Sequence, residues 1–185
     1  MIPNSMAGNR RGQVAFPCRI CESGGVDHQA EISDAVAAIL AAADADIAAR
    51  RPVCRSSGRC CHFEAWGHRL YVTGAEVVHF ARVQIPAQAA GGIPAGRTIS
   101  LAQFLARETV EGCPFQQGTL CTAREARPLG CRIYFCDENA QSWQQAVYEQ
   151  YHAQLQAVHE RFGLPYRYIE WRQALREISP GGQTQ

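Results

Sequence analysis

Residues Val53–Phe63 read VCRSSGRCCHF, with cysteines at 54, 60 and 61 and arginines at 55 and 59. A second block, GCPFQQGTLCTAREARPLGCRIYFC over 112–136, adds Cys113, Cys121, Cys131 and Cys136. Neither block has the 3.6-residue or two-residue periodicity of a regular element. Pro114, Gly118, Pro128 and Gly130 point instead to turns. Irregular backbone has few ladder hydrogen bonds to hold it, so these thiols need a reason to be together: disulfides, a metal or plain burial.

Working outward, the flanks are helical. Ahead of the first block, Ile32, Val36, Ile39 or Leu40, Ala43 and Ile47 recur at helical spacing over 27–52, with Asp27 as candidate N-cap and Pro52 as the stop. After it, RLYVT is a short strand candidate. Thr73 and Glu76 then have capping-box spacing ahead of a helix carrying Val77, Val78, Phe80 and Ala81. QIPAQAAGGIPAGR reads as a Gly/Pro loop, and Ser100 with Gln103 opens a short helix burying Leu101, Phe104 and Leu105. Beyond the second block, Trp143, Val147, Tyr151, Leu155, Val158 and Phe162 mark one face of a long helix that Gly163 and Pro165 end. Tyr168, Trp171, Leu175 and Ile178 suggest a last helix.

The fold class expected is mainly α: a helical frame around an irregular, turn-rich cysteine-cluster metal site, with at most a short strand or hairpin. The organisation expected is a flexible arm over 1–26, a single domain over 27–179 and a tail over 180–185. Within that domain lie a helix (27–52), a cysteine-cluster core (53–137) and C-terminal helices (138–179).

Composition limits the function classes. At 185 residues the chain can bury one substantial core. A net charge of +1 gives no electrostatic reason for a nucleic acid or acidic membrane partner. The N-terminal stretch lacks the apolar run of a signal peptide, and no later segment suits a bilayer span, so a cytoplasmic location is expected. There the nine cysteines, an odd count, favour metal or redox chemistry over structural disulfides. A metal crosslinking distant loops would supply the constraint the backbone lacks.

Spacing alone does not name the metal. Paired zinc-ribbon or finger signatures are absent, and the one C-x2-C, Cys18 with Cys21, sits in the arm; with no second half nearby it reads as a mobile or adventitious pair more readily than as half a zinc knuckle or a redox pair. A ferredoxin-type run is also missing.

Taken together, CRSSGRCC, then Cys113-Pro114-Phe115, then CTAREARPLGCRIY resemble the YkgJ-type CxxCxxCC cysteine-cluster family, described as a zinc- or iron-chelating domain. The family pattern is C-x2-C-x2-C-C, a strand and helix with Thr and Glu, a Cys-Pro-hydrophobic step, then C-x-I-Y-x2-R-P-x2-C-R. Cys54, Cys60 and Cys61 match its first block, Thr73 and Glu76 its middle, and Cys113 with Pro114 its third. Cys121, Arg127, Pro128, Cys131 and Arg132 match its last. The resemblance covers 53–137. Ser57 stands where the pattern has its second cysteine, and Ala123-Arg124 replaces Ile-Tyr. A hydroxyl is a poor ligand for zinc or an iron–sulfur centre, leaving either a smaller site or Cys136 in the gap. Flagellin lysine methylases are similar in this region and are thought to carry an iron–sulfur cluster, which implies that the module can sit in an enzyme.

The candidate ligands are Cys54, Cys60, Cys61, Cys113, Cys121, Cys131 and Cys136, more than the four of one zinc or one [4Fe–4S] cluster. Cys60 and Cys61, adjacent in the chain, would point to opposite faces of an extended backbone. On that basis one binds while the other packs or serves a second site. Four thiolates on Zn2+ leave about −2 of charge, which Arg127 and Arg132, flanking Pro128, are placed to offset from outside the ligand shell. Arg55 and Arg59 read equally well as solvated surface. His62 and His68 read as hydrogen-bonded scaffold, His79 as an ordinary helix position, and Glu64, Glu76 and Glu108 as no acid–base pair. No catalytic residue is expected.

The leading expectation is an intracellular protein chelating zinc or an iron–sulfur cluster, [4Fe–4S] being the cluster type favoured, with an unidentified protein as a further partner. The alternatives are an iron–sulfur enzyme or accessory in methyl or electron transfer, and a thiol-redox or metal-handling protein.

Overall fold

A computed structural model describes residues 26–89 and 112–178. The elements, in chain order, are α1 (Val26–Arg50), a 3-10 turn (Arg59–Cys61), β1 (Tyr71–Thr73), α2 (Gly74–Ala89), β2 (Gln116–Gln117) and β3 (Leu120–Cys121). They are followed by α3 (Leu129–Ile133), α4 (Glu138–Arg161), β4 (Tyr168–Glu170) and α5 (Trp171–Glu177). The described residues are mainly helical, as the patterning predicts, and also form two small two-stranded sheets. No described helix is long and apolar enough to cross a membrane.

The frame is built from α1, α2 and α4, each packed against the other two. In α1, Ile32, Val36, Leu40, Ala43 and Ile47 are all buried, with Leu40 taking the core position and Ile39 only partly covered. Asp27 lies inside the first turn and not at the N-cap, since the helix begins at Val26. The helix ends at Arg50; Arg51 turns into the left-handed region (φ 51°) and Pro52 follows, without an N–H to continue the ladder. In α4, Val147, Tyr151, Leu155 and Val158 are buried on the expected face. Its ends are capped by Asp137, whose side chain accepts from Asn139 N, and by Gly163 at φ 60°.

Three further features differ from the sequence expectation. The helix of α2 runs past Pro86 to Ala89, so the front of the expected Gly/Pro loop is helical. Tyr168 belongs to a strand and not to the last helix: β4 pairs antiparallel with β1, Val72 opposite Ile169, and α5 starts only at Trp171. Within the second cysteine block the turns carry short regular pieces, the β2–β3 hairpin and the single turn of α3. The arm with Cys18 and Cys21, most of the expected loop, the Ser100–Gln103 helix with Leu101, Phe104 and Leu105, Glu108, and the tail lie outside the described residues.

The sheet and α5 close one end of the core. Trp171, 2% exposed, meets Phe80 edge-on with ring centroids 4.7 Å apart, and Phe80 in turn packs against Phe115 at 5.1 Å. Phe115 follows Cys113 by two residues, so the second cysteine block is anchored directly to the helical core.

Candidate metal centre

Each cysteine segment is held by an identifiable backbone tie. Gly58, at φ 73°, lets the chain reverse into the 3-10 turn, whose Cys61 N donates to Gly58 O (2.9 Å). Gly112, at φ 87°, passes so close to this turn that a Cβ there would lie 2.8 Å from Cys61 O. That approach lets Cys113 N donate to Cys61 O at 2.7 Å. Glu64 fixes the same crossing, accepting from Gly112 N at 2.8 Å while paired with Arg172. Hydrogen bonding from Gly112 and the Arg172 guanidinium outweigh desolvation and hold the Glu64 carboxyl below its usual range.

The remaining thiols arrive on the hairpin and on α3. Cys121 lies opposite Gln116 in the β2–β3 ladder. Cys131 sits in α3, whose first N–H, that of Leu129, donates to the buried carboxylate of Glu76 at 2.8 Å. Asp137, besides capping α4, accepts from Val53 N at 3.3 Å, which ties the stretch beside Cys54 to the residue after Cys136. Ser57 Oγ lies 3.4 Å from Cys136 Sγ, so the hydroxyl that departs from the family pattern is in contact with the cysteine weighed as its substitute.

These ties gather the cysteines from segments far apart in sequence. Cys60 and Cys61 Sγ are 3.9 Å apart. The divergence expected of extended backbone does not arise, because they sit on a 3-10 turn, where successive side chains are about 120° apart rather than on opposite faces. Cys113 and Cys121 are near enough to Cys61 to shift its proton affinity, and Cys121, Cys61 and Cys60 near enough to Cys131 to do the same. Cys54 and Cys136 line a small cavity together with Cys60, Cys61 and Cys121. All seven of these cysteines are free thiols.

Crowding and burial favour the protonated form. Hydrogen bonding to Cys113 and burial push the Cys61 thiol up to about 12. The bond to Cys61 and desolvation raise Cys60 further. Burial raises Cys121 and, more strongly, Cys131. Arg127 opposes the rise at Cys60, Cys121 and Cys131, so its charge reaches the cluster. It is held there by donating to Arg124 O and Cys131 O.

Arg132 is placed differently. It is buried and donates to Arg127 O (2.7 Å), to Glu125 O and to Asp44 of α1. Its hydrogen bonds brace the loop that carries Arg127. Arg59 lies over the Trp66 ring, 3.7 Å from its centroid, and Arg55 is in an exposed part of the loop. The histidines are engaged with protein groups: His62 Nε2 with Gln116 Nε2 at 2.9 Å, His68 stacked on Tyr134, and His79, buried, with Ser33 Oγ at 3.0 Å. Glu64 and the second roles of Glu76 and Asp137 carry no signal in the sequence, because each acts on a backbone N–H distant along the chain.

The donor set can be compared with what a thiophilic metal requires. Sulfurs sharing one tetrahedral zinc stand about 3.8 Å apart, given Zn–S bonds of about 2.3 Å. The Cys60–Cys61 separation of 3.9 Å matches that spacing. Among the described residues, no three Cys, His, Asp or Glu side chains form a complete ligating group, so the match is pairwise. Two soft thiol donors at that spacing are what the described residues bring together for such a metal. Neither a family model, a curated protein nor a solved structure significantly matches the chain.

Proposed function

We propose that this chain is a cysteine-cluster metal-binding protein of the YkgJ type, acting in the cytoplasm. Its metal, zinc or an iron–sulfur cluster, crosslinks the two cysteine blocks. The observation that carries the reading is the convergence of Cys60, Cys61, Cys113, Cys121 and Cys131 from sequence-distant segments as free thiols. Those five supply the ligands, with Cys54 and Cys136 at the edge beside Ser57. Bound metal would replace the thiol protons, and its binding energy would add to folding energy. Arg127 would offset the resulting negative charge, while Arg132 braces the Arg127 loop.

A second reading, an iron–sulfur enzyme or accessory, draws support from the cavity that Cys60 and Cys131 border, described below, since a reacting ligand needs space beside a cluster. Metal analysis of protein purified without oxygen tests both. Iron with acid-labile sulfide supports the iron–sulfur form, and stoichiometric zinc supports a structural site. Protein that is folded, fully reduced and binds neither metal when supplied would overturn the proposal.

A further inference from the structure

A cavity of about 330 Å³ lies against the thiols, with Cys60 and Cys131 in its wall. Its lining is aromatic. Tyr71 stacks on Tyr168, centroids 5.4 Å apart and planes 21° off parallel; Tyr134 stacks on His68 at 5.6 Å and 15°. Tyr148 Oη is hydrogen-bonded to Tyr168 Oη at 2.7 Å, which ties α4 to β4. Gly130 and Leu70 are packed closely in the same wall, since a Cβ on Gly130 would lie 2.8 Å from Leu70 Cδ1.

Three of the four exposed tyrosines among the described residues, Tyr71, Tyr134 and Tyr168, gather at this one place. Exposed aromatic surface concentrated around a concavity is the composition of a ligand site, and the volume is within the range of pockets for small molecules. Charge selects the class. The described lining contains one residue with a fixed charge, Arg69, and no carboxylate. Arg69 forms no ion pair with a described residue, so its guanidinium is available to an incoming anion.

We propose that this cavity binds a planar aromatic anion, a one- or two-ring carboxylate whose ring lies among the tyrosines and whose carboxylate pairs with Arg69. The ring would rest beside Cys60 and Cys131, so the ligand and the thiol cluster share a wall. The inference goes beyond metal binding and stands without it, because the recognition elements are protein side chains.

Calorimetric titration of the full chain with 2-naphthoate tests it. 2-Naphthylmethylamine and cyclohexanecarboxylate serve as probes of opposite charge and of a non-aromatic ring, and metal is measured in the same sample. We expect saturable one-to-one binding of naphthoate. We expect it to be weakened about tenfold in Arg69→Gln and in Tyr168→Leu, and the two other probes to bind at least about tenfold more weakly. Arg69 is exposed, so its variant should retain the wild-type circular dichroism. Absence of saturable binding would overturn the inference, as would binding indifferent to Arg69→Gln or a preference for the amine. Naphthoate binding by protein that takes up neither zinc nor iron when supplied would support this inference while counting against the metal reading.

Discussion

Glu76 joins two parts of the molecule through a single carboxylate. It is 4% exposed and accepts from Thr73 N (2.7 Å), Thr73 Oγ1 (2.9 Å) and Leu129 N (2.8 Å). Desolvation raises its affinity for a proton, and those three donors together with the charge of Arg132 work against the rise. Truncation would strand the donors without water to replace the carboxylate. An unsatisfied buried group costs about 1–3 kcal/mol, so Glu76→Ala should destabilise by about 3 kcal/mol or more in urea unfolding, and Glu76→Gln, which keeps one acceptor oxygen, by less. A Glu76→Ala loss below about 1 kcal/mol would mean that the contacts contribute little. The first half of this role is legible in the spacing of Thr73 and Glu76, because a capping box is local. The bond to Leu129 spans 53 positions, and no periodicity reports it.

At the scale of elements, helices with an apolar face were the most legible part of the chain. Residues Ile32 to Ile47 and Val147 to Val158 repeat at the helical period, and burial follows that repeat. Short strands are harder: β4 is three residues long and abuts α5, so Tyr168 reads as one more point on the helical stripe. Pro86 works in the other direction: it reads as a helix breaker, yet α2 continues past it to Ala89 at the cost of one backbone donor. The α1–α2 contact also buries a titratable group. His79, 6% exposed, meets Ser33 Oγ, and burial together with the Arg132 charge lowers its proton affinity. The unfolded chain therefore takes up a proton below about pH 6.5 while the folded chain resists it. Stability from this site is complete above that pH and declines as pH falls toward the depressed folded value. Between about pH 7.5 and about pH 5, wild type should lose more stability in urea than His79→Gln, the comparison cancelling the titration of every other group. Equal losses would show that His79 does not couple folding to pH.

For the whole molecule, three mutually packed helices provide the frame, and the cysteine segments hang between them on a few long-range ties from Glu64, Glu76 and Asp137. The helical frame and the clustering of cysteines along the chain can be read from the residues. Which thiols meet cannot, because it depends on the 3-10 turn at Cys60–Cys61 and on the glycine crossing at 112. The same geometry separates the two arginines: Arg127 acts on the thiols, while Arg132 braces the loop from α1. The most direct measurement is X-ray absorption at the edge of the metal that the chain binds, giving the ligand atoms and their distances. We expect a shell dominated by sulfur, at about 2.3 Å for zinc, with sulfur lost when Cys61 or Cys113 is replaced by serine. A shell of nitrogen and oxygen alone, unchanged by those substitutions, would contradict metal binding through the clustered cysteines.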